Sequence, residues 1–545
     1  MASTEMTGSE SLAKGIMDGG AKFAASYPGG PTTGVVQKLI DQGGAHDIYV
    51  EWASNEKVAF EEAFGCCLTG ARSVMVAKHV GINHIMDPLM TANLTGSGGG
   101  MLILAGDDPG AYGSQNEQDS RILGAMAEIP ILEPATPAQG YQMVRCGFRL
   151  SEILRLPVMI RFTTDYTLQK GAVTAETPHK PVEPAFVDHK SFKQVPSNAV
   201  ENHVRLHAKM RQSIQLFEQD PYDRFNPVSG DGTLGLLACG QVAAALDRLG
   251  SPASVRCMSL GTISPLPEQS LLIFLKPLKR LYVLEDGEPF MEIRVRDLAQ
   301  KNGLALEILG KTGGQVPWEG SLNEAALARF LTDQLEQPPA KTPAGQRQLP
   351  SRKPLGIDCP YEPFVMTLKE LIADGKLDRP VVVGETGCLV KLNNPPYDML
   401  DVKYSMGSSI GLACGLRRSG IKDKILALTG DSAFFHTGIN GLITAAHHRT
   451  DIIVVVMDNR TVALTGFQTT IGTGQTASGE RVPTFGPEDV AKALNIENVQ
   501  VLDAYDRDAI AETLKKLWQQ KGPALVVVRG ACPYIDAKSC RIDTT

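Results

Sequence analysis

Two apolar runs near the carboxyl end, ILAL at 425–428 and IIVVV at 452–456, are separated by about one helix length. Each closes on an acidic turn, Gly430-Asp431-Ser432 after the first and Asp458-Asn459 after the second. Runs this continuous suit strands buried on both faces, as in parallel sheets covered by helices. The same alternation of short Val/Ile/Leu runs with helix-length segments recurs almost throughout. AKFAASYPGG, SVMVAKHV, MLILAGDDPG and PVMIRFTT carry it before residue 165, and TLGLLACG, LYVLEDGE and LEILGKTGG carry it between 233 and 314. The expected fold class is α/β, with three doubly wound parallel-sheet domains.

A chain of 545 residues has room for roughly three or four domains of about 150 each. The first is expected over 1–170. A connecting segment, 171–230, begins rich in proline and charge and turns helical near 199–218. A middle α/β domain follows over 231–335, then a linker, EQPPAKTPAGQRQLPSRKP at 336–354, and a last domain over 355–545. Net charge is −7 without any run of Lys/Arg, which argues against nucleic acid or an anionic membrane as partner. No apolar stretch reaches the ~18–20 residues of a membrane span. The amino terminus, MASTEMTGSESLAKG, is polar and unlike a signal peptide, so the ten cysteines read as reduced thiols of a cytoplasmic protein.

In a doubly wound sheet, ligands gather outside the carboxyl ends of the strands. Asp431 and Asn459 would project at one edge, one strand apart. Two hard oxygen donors beside a glycine turn and a helix start suit a Mg²⁺ that keeps diphosphate oxygens as further ligands. Such an ion and a diphosphate ~4 Å apart attract by several kcal/mol even at an effective dielectric near 20. Gly-Asp and Asp-Asn are also common turn dipeptides, so two ordinary strand-end turns would read the same way.

Gly-Asp-Ser followed by Asn459 resembles the GDG…N signature of thiamine diphosphate enzymes. That resemblance implies an acidic residue in a separate pyrimidine-binding domain. NEKVAFEEAFGCCLTGARSV, 55–74, is similar to the catalytic-glutamate helix of that superfamily and puts Glu56 at the cofactor, with Glu61 and Glu62 solvated or structural. Thiamine reacts as a carbanion at its thiazolium C2, and its aminopyrimidine must become the imino base that removes the C2 proton. A buried carboxyl sharing a proton with ring nitrogen N1′ drives that change. YSMGSSIGLACG, 404–415, places Met406 where related enzymes support the bent cofactor; a core methionine is the alternative.

YPGGPTT, KHVGINHIMDPL, AGDDPGAYGSQNEQDSR, GETGC, GDSAFFHTGINGL and VMDNRTVALTG together resemble, in order and over nearly the whole chain, the large subunit of indolepyruvate:ferredoxin oxidoreductase. The resemblance implies pyrimidine, middle and diphosphate domains in that order, with an active site formed between the first and last, within or across chains. It implies decarboxylation of an aryl 2-oxo acid on thiamine diphosphate, oxidation, and acyl transfer to coenzyme A. A smaller oxidoreductase subunit, an electron acceptor and an oligomer are implied as partners. The cofactor residues would be Gly384, Gly387, Cys388, Met406, Gly430, Asp431, Ser432, Asn459 and Thr461. Asp431, Asn459 and the main-chain carbonyl of Thr461 would hold Mg²⁺. Lys78, His79 and His436 are candidates for a substrate carboxylate, with a structural role as the alternative for each.

Three departures from the family matter. The usual carboxyl-terminal ferredoxin-like domain is not expected after ACPYIDAKSCRIDTT, and no CxxC occurs. Cys359, Cys388 and Cys532 stand at three places of a cluster-binding set whose fourth is Gly356, so no iron–sulfur cluster is expected in this chain. The family's YPGTP appears as YPGGP, with Gly30 where a threonine near the substrate would stand. A non-oxidative thiamine-dependent 2-oxo acid decarboxylase or carboligase is therefore a second reading. A non-catalytic partner subunit is a third, which intact Glu56, Asp431 and Asn459 argue against.

Overall fold

The computed structural model describes residues 3–185, 192–251, 253–335 and 355–535; the expected linker at 336–354 lies outside them. The chain divides into two compact units, Met1–Glu51 with Glu56–Leu349, and Trp52–Asn55 with Pro350–Thr545. The architecture is α/β in both, with several mostly parallel sheets and helical crossovers.

The larger unit holds a seven-stranded sheet. Its spatial order is Thr262–Ser264, Ile131–Leu132, Val158–Thr163, Met101–Asp107, Arg72–Lys78, Ala21–Ser26 and Tyr49–Trp52. The four apolar runs read before residue 165 form its parallel centre, in register Val74↔Leu102 and Leu104↔Ile160. One edge is supplied from the middle of the chain, because Thr262–Ser264 pairs antiparallel with Ile131–Leu132. A five-stranded sheet runs Glu307–Leu309, Arg280–Leu284, Leu234–Cys239, Val255–Leu260, Val228–Ser229. A small ribbon pairs Ser3–Thr7 with Lys170–Thr174.

The smaller unit is built on a six-stranded parallel sheet, ordered Val402–Lys403, Val381–Gly384, Ile425–Gly430, Ile453–Asp458, Ala524–Arg529, Asn498–Asp503. Successive residues of a strand point to opposite faces, and the two cores divide accordingly. Leu426, Leu428, Val455, Met457, Val526 and Val528 pack with Phe364 and Leu368 of helix Glu362–Ala373 and with Ile510 and Leu514 of helix Arg507–Trp518. Ala427, Val454, Val456, Leu525 and Val527 pack on the other face, with Ile410 of helix Ser409–Arg418 and Leu442 of helix Ile439–His447. Each of the larger of these side chains contributes about 1.5–3 kcal/mol from burial, which fixes the strand ends that carry the polar groups. Among the described residues no helix is long and apolar enough to cross a membrane.

Candidate active site

Strands Ile425–Gly430 and Ile453–Asp458 are neighbours, with Gly430 opposite Met457, so Asp431 and Asn459 emerge from adjacent strand ends. Both are buried. Oδ2 of Asp431 has no hydrogen-bond partner among the described residues, while Oδ1 of Asn459 accepts from the Thr461 amide at 3.2 Å. Burial, reinforced by the carboxylate of Asp458, holds the Asp431 carboxyl well above its ordinary range, although the Ser432 and Arg460 amides oppose the rise. A buried carboxylate oxygen that accepts no hydrogen bond from the described residues, next to an amide oxygen, is a donor set that fits a hard divalent cation. Tyr361 braces the turn from below, its hydroxyl donating to the Met457 carbonyl at 3.1 Å.

Two acids beside this turn escape a reading of the motif. Asp458, one residue before Asn459, is held by Arg529, whose Nε lies 2.7 Å away and whose Nη2 reaches Glu488 at 2.8 Å. Glu385, inside GETGC, is fully buried and accepts from the Thr429 hydroxyl and, at 3.4 Å, from the Ser409 amide. Burial pushes it up to about 7. It ties the strand end at Gly384 to the Gly430 turn and to the start of helix Ser409–Arg418. An acid flanked by two glycines was the available signal.

The segment after Asp431 is not one regular helix. One α-turn, Asp431–Ala433, runs into a π-helical stretch, Phe434–Gly438, before the α-helix Ile439–His447. Such wide turns recur at functional sites. This one carries His436, buried, with Nδ1 3.3 Å from the Thr437 hydroxyl. Thr437 in turn donates to the Met406 carbonyl at 3.1 Å, fixing that loop against the π turn. Met406 is half-buried and stands outside the core. Ser432 is half-buried at the α-turn. Gly387 has φ +99°, a conformation that favours glycine, and it turns the chain into Cys388.

The three thiols raised for a cluster interact with one another. Burial pushes Cys359 to about 11 and Cys388 to about 12, each further raised by its neighbours, and burial also raises Cys532. At Gly356 a Cβ would lie 2.3 Å from the Tyr534 hydroxyl, so a tyrosine covers the place where a fourth thiolate would start. With glycine and a tyrosine at the fourth place, three cysteines do not make up a four-thiolate set.

In the larger unit Glu56 opens helix Glu56–Cys67 and is only 6% exposed. Its side chain lies over Gly81, where a Cβ would stand 2.6 Å from Glu56 Cγ and Oε1, so glycine is required there for the carboxyl to lie down. Glu61 is exposed and pairs with Lys57. Burial and a hydrogen bond to Glu51 raise Glu62 to about 8. Lys78 and His79 sit where strand Arg72–Lys78 passes into helix His79–Thr95. Lys78 donates to the Gly113 carbonyl at 3.2 Å, and burial lowers its ammonium to about 8 against the pull of Asp108. His79 is fully buried, with Nε2 3.2 Å from Asn116 Oδ1 and Nδ1 without a hydrogen-bond partner among the described residues. Gly29 packs on the Lys78 stem, whereas a side chain at Gly30 would enter open space.

The family described as thiamine pyrophosphate enzyme, C-terminal TPP binding domain, matches residues 385–528, from Glu385 to the last residues of strand Ala524–Arg529. Proteins named indolepyruvate oxidoreductase subunit IorA match nearly end to end. That of Archaeoglobus fulgidus is 31% identical over 563 residues, covering 98% of this chain and 87% of the relative. That of Methanothermobacter marburgensis is 32% identical, covering 97% and 86%. That of Pyrococcus abyssi is 33% identical, covering 97% and 85%. Among solved structures, a 2-oxoglutarate:ferredoxin oxidoreductase from Magnetococcus marinus overlaps 60% of this chain and 65% of its own at 15% identity and a TM-score of 0.47. Its thiamine diphosphate-binding segment and its end-to-end match to these relatives establish that the chain belongs to the IorA family of indolepyruvate oxidoreductase subunits, thiamine diphosphate-dependent 2-oxo acid oxidoreductases.

Proposed function

We propose that the chain catalyses oxidative decarboxylation of an aryl 2-oxo acid, of the indolepyruvate kind, to the acyl-CoA. The observation that carries the cofactor assignment is the buried Oδ2 of Asp431, without a hydrogen-bond partner among the described residues, beside Asn459. In this reading Asp431, Asn459 and the Thr461 carbonyl hold Mg²⁺ and through it the diphosphate. Thiamine diphosphate, when bound, supplies the nucleophilic carbon that takes up the substrate carbonyl. Glu56 then holds the proton shared with the aminopyrimidine, its burial disfavouring the charged form. Lys78 offers a cation for the substrate carboxylate at the mouth of its strand, and the open space at Gly30 leaves room for a bulky acyl side chain.

The balance is 2-oxo acid plus CoA giving acyl-CoA, CO₂, one proton and two electrons. With Tyr534 over Gly356, the three thiols give those electrons no cluster to enter, so they pass to a smaller partner subunit and its acceptor. The same observation favours a second reading, in which the product is an aldehyde and no electrons leave. Purified chain should be given thiamine diphosphate, Mg²⁺, CoA and an aryl 2-oxo acid, with and without the partner subunit and a one-electron acceptor. Acyl-CoA forming only with the partner supports the proposal. Sustained acyl-CoA formation by the chain alone, with stoichiometric iron bound, contradicts the electron route; rapid aldehyde release that no partner redirects supports the second reading.

A further inference from the structure

Helix Ala199–Phe217 buries Asn202, Leu206, Ser213 and Phe217. His203 and His207, one turn apart beside that buried ridge, are 50% and 51% exposed, and their rings lie 4.3 Å apart. Both face one carboxylate. Nε2 of His203 is 2.8 Å from Glu128 Oε1, and Nε2 of His207 is 2.9 Å from Glu128 Oε2. Glu128 follows helix Ser120–Met126, with φ +52°, and its amide donates to the Ala125 carbonyl at 3.1 Å. Asn93 holds the same turn through the carbonyl of Ala127. The carboxylate is thus presented by a fixed turn, and both imidazoles by a packed helix.

A histidine pair at i and i+4 places its Cβ atoms about 5–6 Å apart on one helix face, the spacing at which two imidazoles close on one ion. Two donors on a tetrahedral zinc, each about 2.0–2.1 Å from the metal, stand about 3.3–3.4 Å from one another. The three donor atoms here already lie within 4.8 Å of one another. Small rotations of half-exposed side chains would therefore bring them around an ion. Two imidazole nitrogens with one carboxylate favour zinc and its borderline neighbours over Mg²⁺ or Ca²⁺, which take oxygen.

We propose that Glu128, His203 and His207 form a site for Zn²⁺ or a similar first-row transition cation, three protein ligands with water completing the shell. The ion would staple helix Ala199–Phe217 to the turn after Ser120–Met126. The folded chain presents the three ligands together, so binding there in excess of any to the unfolded chain raises the unfolding temperature as the ion's concentration rises.

The test is a Zn²⁺ titration by calorimetry of the untagged full chain, with thiamine diphosphate and excess Mg²⁺ present throughout. The wild type should bind one more equivalent than the His203→Ala, His207→Ala double variant. Glu128→Gln should weaken that equivalent by at least about tenfold, or ~1.4 kcal/mol. Co²⁺ in place of zinc should give the visible bands of a low-coordinate ion in the wild type and lose them in the double variant. Unchanged circular dichroism in the variants attributes the difference to ligand loss. An isotherm and Co²⁺ spectrum shared by wild type and double variant, or no saturable binding in either, would overturn the site.

Discussion

Asp431 and Asp458 stand as buried carboxylates at the ends of neighbouring strands, and they are answered unequally. Arg529 and Arg460 meet Asp458 at 2.7 and 3.4 Å, whereas Asp431 is met by backbone amides and its Oδ2 has no hydrogen-bond partner among the described residues. Both guanidiniums lie against Asp458, which leaves the free oxygen of Asp431 for a divalent cation. Asp431→Ala should abolish Mg²⁺-dependent thiamine diphosphate binding, and Asn459→Ala should weaken it severely, both read by calorimetry. Unchanged cofactor affinity in the Asp431 variant would remove the metal assignment.

Glu385 should leave a mark on stability against pH. Its carboxyl is raised from 4.5 to about 7 in the folded chain, so between those values the folded state holds a proton the unfolded state has lost. Stability therefore falls as pH rises through that window and levels off above it. In the cofactor-free chain, Glu385→Gln should remove a fall on the order of 3 kcal/mol, measured by urea unfolding at each pH. Parallel curves for wild type and variant would show that Glu385 does not titrate there.

Lys78 predicts a pH limit on substrate capture. With its ammonium lowered to about 8, it is charged below that value and increasingly neutral above it. KM for the 2-oxo acid should rise as pH passes about 8 while kcat changes little, and Lys78→Arg should carry tight binding to higher pH. A KM that Lys78→Ala leaves unchanged would assign Lys78 to the structural role of holding Gly113.

The strand ends were legible because strands buried on both faces spell continuous apolar runs, and polar residues closing such runs must emerge at a sheet edge. Two other strands were harder to see. Val255–Leu260 mixes Arg256 and Ser259 into its run, and Thr262–Ser264 joins a sheet whose other strands precede residue 165. Glu385 and Asp458 lie inside motifs whose glycines, cysteine and asparagine draw the chemical reading. Their roles depend on Thr429 and Arg529, brought in by folding. The spacing of His203 and His207 is visible in the sequence, but Glu128 comes from 75 residues away.

The most direct test concerns Glu56, whose carboxyl lies over Gly81 at the start of its helix. Exchange of the C2 proton of bound thiamine diphosphate should be followed by quenched-flow NMR in the wild type, Glu56→Gln and Glu61→Gln. The account predicts that Glu56→Gln binds the cofactor yet exchanges at least ~10²-fold more slowly, while Glu61→Gln keeps the wild-type rate. Wild-type exchange in Glu56→Gln, or an equal loss in both variants, would contradict it.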